Sequence, residues 1–243
     1  MISILCFGDS NTFGSNPEGG RHERNVRWTG VLQELLGEQY YVIEEGMGGR
    51  TTVHDDPFEP NRCGKMALPI ALQSHMPLDL VIVSLGTNDC KLNFHLSPEL
   101  VAKGAECLCR MIKDYDYRGG KIPKILLVSP ILIGEDLENC PFENFDQASV
   151  ERAAGLAPSF RAVAERQGCL YLDAASVASP GSDQLHMDAA SHRALAEKIC
   201  EMVRAEFRQN LSEGNLLTFP PSAAIISRNS RSIYMLSGDE GKK

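Results

Sequence analysis

The chain predicts a three-layer α/β/α sandwich around a five-stranded parallel sheet. Five short apolar runs rich in β-branched residues recur along its 243 residues, separated by longer segments of helical period. The two most apolar runs, 79–85 (DLVIVSL) and 124–129 (KILLVS), have the unbroken hydrophobicity of strands buried on both faces. Strands alternating with helices imply right-handed crossovers and a sheet covered on both sides.

The first strand is 2–7 (ISILCF), followed by a helix over 25–37 with Trp28, Val31, Leu32, Leu35 and Leu36 on one face and Gly37 as its stop. The second strand is 40–45 (YYVIEE), and a shorter helix over 64–75 leads to the third, 79–85. Ser97 as N-cap with Pro98 in the first helical position opens a helix over 98–115, whose stripe is Val101, Ala105, Leu108, Ile112 and Tyr115. After the fourth strand, 124–129, comes a long link over 131–148, rich in Phe, Asn and acids. It has the length of a lid or a substrate wall. A helix over 149–168 must be kinked or interrupted by Pro158. The fifth strand is 169–173 (CLYLD). The last helix, 188–207, has Asp188 as its cap and buries Leu195, Ile199, Val203 and Phe207. Residues 1–208 are thus expected to form one domain. The tail 209–243 has no clear period and is expected to pack on that domain or on a neighbouring subunit, which would make the protein a homo-oligomer.

The composition narrows the function. With 24 basic and 32 acidic side chains the formal net charge is −8, which argues against nucleic acid or an anionic membrane as the main partner. No apolar run approaches the roughly 20 residues that span a bilayer. Met1 runs directly into the first strand without a basic leader, so no export signal is expected. The 8 cysteines contain no C-x-x-C pair, and reduced, structural thiols suit a cytoplasmic protein with no metal site.

In parallel α/β sheets, chemistry gathers at the carboxyl ends of the strands. Gly8-Asp9-Ser10-Asn11-Thr12 follows the first strand. A serine on such a turn is presented to solvent beside backbone N–H groups, as a nucleophile requires, although a plain Gly/Asp/Ser turn has the same composition. Gly46-Met47-Gly48-Gly49 follows the second strand and would let backbone approach a ligand closely. Gly86-Thr87-Asn88-Asp89 follows the third; the Asn88 amide can donate to an oxyanion or simply close an Asx turn. Asp183-Gln184-Leu185-His186 follows the fifth and spaces a carboxylate to hold one imidazole nitrogen. Any one of these segments is also an ordinary turn, but together they supply nucleophile, oxyanion donors and base at one edge of the sheet. Arg50, His54, Asp55 and Asp56, and beyond Asn88 the residues Lys91, Phe94 and His95, are candidates only for lining the pocket.

The blocks around Ser10, Gly49, Asn88 and Asp183–His186, in that order, resemble the SGNH (GDSL-type) hydrolases. Segments 26–32 (VRWTGVL), 42–46 (VIEEG), 50–52 (RTT), 55–57 (DDP) and 77–82 (PLDLVI) look like the bacterial arylesterase and acyltransferase/perhydrolase branch. The resemblance covers about residues 2–203 and implies a flavodoxin-like five-stranded sheet and a serine esterase acting on small carboxylic esters. It implies Ser10, Asp183 and His186 as the triad, with oxyanion donors from Ser10, Gly49 and Asn88 and with no cofactor. A carbohydrate O-acetyl esterase with the same triad is the alternative, and an anion-binding flavodoxin-like module is the non-enzymatic one. The chain departs from the family in having Asn11 where leucine usually follows the serine. That residue is expected to alter the local helix start and leave the chemistry alone. The link 131–148 is this chain's own.

Overall fold

The computed structural model describes residues 1–214. Its strands are β1 (Ile2–Gly8), β2 (Tyr40–Gly46), β3 (Leu80–Ser84), β4 (Lys124–Ser129) and β5 (Leu170–Asp173). All pair in parallel, in the order β2-β1-β3-β4-β5. The helices are α1 (Ser10–Phe13), α2 (Trp28–Leu36), α3 (Gly64–His75), α4 (Pro98–Asp114), α5 (Gln147–Ala154), α6 (Leu156–Gln167) and α7 (Ala189–Gly214). The compact unit Met1–Glu206 contains the whole sheet. A second unit begins at Phe207, and the tail from 215 lies outside the described residues.

Side chains that alternate along the strands divide the interior into two layers. Leu5, Phe7, Val81, Val83, Ile125 and Leu127 join Leu68, Leu72, Leu108, Ile112, Phe160 and Val163 of α3, α4 and α6 in one core. Ile4, Cys6, Leu80, Ile82, Leu126 and Val128 are equally buried and point the other way. On that side α2 contributes Trp28, Val31 and Leu32, and α7 contributes Leu195, Ile199 and Val203. His192 joins these two helices: its Nδ1 accepts the Trp28 N–H at 3.2 Å, and burial pushes its pKa down to about 3, so the ring stays neutral.

Four boundaries differ from the sequence expectation, each for a local reason. The helix expected from residue 25 begins at Trp28 because Arg24 and Arg27 turn aside to meet the Glu44 carboxylate, both at 2.9 Å. The helix over 149–168 breaks at Gly155, not at Pro158. Pro158 falls in the first turn of α6, where its missing N–H would have no intrahelical partner. Asp146 opens α5 two residues early, with a reciprocal capping box to Ser149. Finally α7 runs past residue 208 to Gly214, since no glycine or proline intervenes to stop it. Ser97 caps α4 as expected, accepting the Leu100 N–H.

Register sets where function can sit. Gly8 of β1 stands level with Gly46 of β2 and Ser84 of β3. The chain leaves β1 for β2 on one side and returns across β1 to β3, so the strand order reverses beside β1. That crevice is where ligands bind in open parallel sheets.

Candidate active site

The crevice is built first by close backbone approach. A Cβ on Gly8 would sit 2.0 Å from Thr12 Oγ1 and 2.8 Å from the Ser84 carbonyl, so β1 can leave the sheet here only as glycine. Asp9 then caps α1, its carboxylate accepting the Asn11 N–H at 3.0 Å, and Ser10 becomes the first residue of that short helix. Burial pushes Asp9 up to about 6, against the opposing pull of the Asn11 N–H, His186, Thr87 and Arg50.

The other strand ends are tied to this one. The Arg50 guanidinium donates to the carbonyl of Gly8 at 3.0 Å and to that of Glu45, and lies over the Phe7 ring at 4.3 Å. It therefore braces β1 against β2 and is not among the residues lining the cavity. Asn88 donates from Nδ2 to the Arg50 carbonyl at 3.1 Å, which orients its amide beside Gly49. Gly49 has φ of +73°, a left-handed conformation that favours glycine. Asp89 is fully buried and accepts from Thr52 through both backbone N–H (2.9 Å) and hydroxyl (2.5 Å), while burial raises its pKa to about 7. The loops after β2 and β3 are thus locked to each other through paired polar groups.

The three-residue spacing of Asp183 and His186 closes a tight turn. Asp183 Oδ1 accepts the backbone N–H groups of Leu185 (3.0 Å) and His186 (2.8 Å), while Oδ2 lies 2.6 Å from His186 Nδ1. Gln184 between them takes φ of +66° to make the turn. Burial would raise the Asp183 carboxyl, but the His186 ring and the two N–H donors together hold it below its ordinary value. An ionised carboxylate only accepts, so Nδ1 carries the proton and Nε2 is left as the basic nitrogen.

Ser10, Gly49, Asn88 and His186 line one cavity of about 220 Å³. Phe142, Asn144 and Phe145 from the 131–148 link form a wall of it, with the Phe142 ring edge-on to His186 at 5.3 Å between centroids. Lys91 lies at the wall as well, only 2% exposed, with Nζ 2.8 Å from Asp56 and 3.6 Å from Glu59. Of the other lining candidates, Arg50, His54, Asp55, Asp56, Phe94 and His95 do not reach this cavity. Arg50 is bracing the strands, Asp56 is turned inward to Lys91, and His54 and Phe94 lie against each other at 5.6 Å. A larger cavity of about 370 Å³ lies at the amino ends of β4 and β5, beside Lys124 and Leu170, away from these groups. Among the described residues no group of three or more His, Cys, Asp or Glu side chains could hold a metal ion, and all 8 cysteines are free.

Sequence reasoning missed the bracing role of Arg50, the Asp89–Thr52 lock and the Asn11 carboxamide. The last donates to the Leu185 carbonyl at 3.2 Å and accepts the Met187 N–H at 2.9 Å. Only the position of Asp89, directly after Asn88, carried any signal.

Residues 6–194 match the GDSL-like lipase/acylhydrolase family. Among solved structures, the M. smegmatis aryl esterase is 37% identical, covering 84% of this chain and 99% of its own, with a TM-score of 0.79. A carbohydrate acetylesterase from Sinorhizobium meliloti is 35% identical, covering 85% of this chain and 100% of its own, with a TM-score of 0.80. Among curated proteins, no sequence matches. The chain belongs to the GDSL-like lipase/acylhydrolase family, and so to the carboxylic-ester hydrolases, on the three-layer sandwich with a parallel five-stranded sheet.

Proposed function

We propose that the protein hydrolyses small carboxylic esters through an acyl-enzyme on Ser10. The observation that carries this reading is the 2.6 Å Asp183–His186 bond at a cavity shared by His186, Ser10, Gly49 and Asn88. His186 Nε2 takes the Ser10 hydroxyl proton as Oγ attacks the ester carbonyl, and Asp183 steadies the imidazolium that forms. The carbonyl oxygen becomes an oxyanion held by the backbone N–H groups of Ser10 and Gly49 and by the Asn88 amide. Collapse breaks the ester C–O bond, and the leaving alcohol takes the proton from His186. Water, deprotonated by His186, then attacks the acyl carbon and frees Ser10. An alcohol or a peroxide in the place of that water would make the same site an acyltransferase.

The cavity is below the roughly 300–1,000 Å³ of pockets for drug-sized ligands, which supports a short acyl group. A second reading, an O-acetylated carbohydrate as substrate, is favoured by the polar groups Ser15, Glu59, Lys91 and Asn144 on the cavity wall. Free thiols throughout the chain support a reducing, cytoplasmic setting. Hydrolysis of p-nitrophenyl acetate tests the nucleophile: Ser10→Ala is expected to abolish turnover while circular dichroism stays unchanged. Wild-type turnover in that variant would refute the assignment. A panel of acyl lengths and acetylated sugars separates the two substrate classes.

A further inference from the structure

We infer that Asn11 is a positioning residue for the base, setting where His186 stands relative to Ser10. The inference rests on the roles of Ser10 and His186 proposed above. Asn11 follows Ser10 directly in α1 and is buried. Its carboxamide reaches residues more than 170 positions away in sequence: Nδ2 donates to the Leu185 carbonyl at 3.2 Å, and Oδ1 accepts the Met187 N–H at 2.9 Å. Those two backbone groups stand on either side of His186. The side chain next to the nucleophile therefore grips the backbone carrying the base at two points.

The remaining bonds on His186 act within its own turn. Asp183 holds its N–H and ring, and its carbonyl accepts the Gly181 N–H at 2.7 Å. They fix the shape of that turn. The Asn11 carboxamide, in contrast, connects the turn to the segment that carries Ser10. A carboxamide both donates and accepts at this spacing. Leucine does neither, and aspartate, once ionised, only accepts. The departure expected to matter only for the start of a helix thus connects nucleophile and base.

Position matters more for rate than for substrate binding, because a displacement of about 1 Å in a reacting group can cost roughly 100-fold. The test compares wild type, Asn11→Leu, Asn11→Asp and, as a stability control far from the crevice, Ile112→Val in the core of α4. For each, kcat and KM on p-nitrophenyl acetate, the rate of labelling by a fluorophosphonate, and Tm are measured. The downfield proton resonance of the His186–Asp183 bond is recorded in parallel. Asn11→Leu is expected to lower kcat and the labelling rate together by roughly 10- to 100-fold, with KM within about twofold, and to shift or broaden that resonance. Asn11→Asp keeps the acceptor for Met187 and loses the donor to Leu185. It is expected to fold and to lose roughly tenfold in kcat, so it carries the test if the leucine variant does not fold. Ile112→Val is expected to lower Tm and leave kcat and the resonance unchanged. Asn11 variants that change kcat no more than Ile112→Val, in an enzyme whose Ser10 is labelled, would overturn this inference alone. A wild-type enzyme that takes no label would overturn the triad and this inference with it.

Discussion

Asn88 commits one amide hydrogen to the Arg50 carbonyl at 3.1 Å, which leaves the second free to face a developing oxyanion. Asn88→Ala is therefore expected to lower kcat by about two to three orders of magnitude with KM nearly unchanged, as steady-state kinetics will show. A loss confined to KM would remove Asn88 from the oxyanion hole. Lys91 makes a different prediction. It pairs with Asp56 at 2.8 Å in an almost fully buried site, so Lys91→Met leaves a buried carboxylate without its cation. The expected loss is about 3–5 kcal/mol in chemical denaturation, and no loss would mean that Asp56 finds another partner. These residues also mark what the sequence made legible. That Ser10, Asn88 and His186 share one cavity was readable because each stands in a short local pattern in a loop that follows a strand. The contacts of Asn11, Arg50 and Lys91 were not, Lys91 being legible only as a candidate for lining the cavity, because their partners lie 35 to 176 positions away and only the fold brings them together.

The strands were legible to within a residue at each end, most directly β1, β3 and β4, whose burial on both faces writes an unbroken apolar run. The four-residue α1 was not, because it rests on the Asp9 cap and on packing against the end of β2. Gly46 shows how tight that packing is. A Cβ there would lie 2.1 Å from the Phe13 nitrogen and 2.4 Å from the Thr12 carbonyl carbon, both of them backbone atoms. Gly46→Ala must push α1, and Ser10 with it, away from the sheet. The expected outcome is a stability loss of about 1–3 kcal/mol, seen as a Tm lower by several degrees, together with a fall in kcat. An unchanged Tm and kcat would mean that α1 is not seated on β2. The break between α5 and α6 was misread for a related reason. Proline is a strong signal in sequence, but in the first turn of a helix its missing N–H has no intrahelical partner to lose, so the glycine three residues earlier took the break.

At the scale of the whole molecule, one edge of the sheet concentrates buried carboxyl groups, and their titration reaches the stability of the fold. Burial raises Asp9 to about 6 and Asp89 to about 7, so the folded state binds their protons more tightly than the unfolded chain does. Stability from these two is present in full below the ordinary value of 3.8 and is lost as pH rises towards 6 and 7. Asp183 has the opposite sign: its lowered pKa gives stability above 3.8 that is lost as pH falls further. Tm is thus expected to fall between about pH 4 and 7, and Asp89→Asn, which keeps an acceptor for the Thr52 N–H, is expected to flatten that slope. An unchanged slope would contradict the raised value. That the ends of β1, β2 and β3 gather these groups at one edge of a parallel sheet was expected from the alternation of strands and helices, while the strand order and the register came only with the structure. A reaction of Ser10 with His186 as its base is tested most directly by covalent capture. After incubation with a fluorophosphonate, mass spectrometry of the digested protein should find one adduct, on the peptide carrying Ser10, and the same reagent should abolish esterase activity in step with labelling. Full esterase activity with Ser10 unmodified, or an adduct on a different residue that tracks the loss of activity, would contradict it.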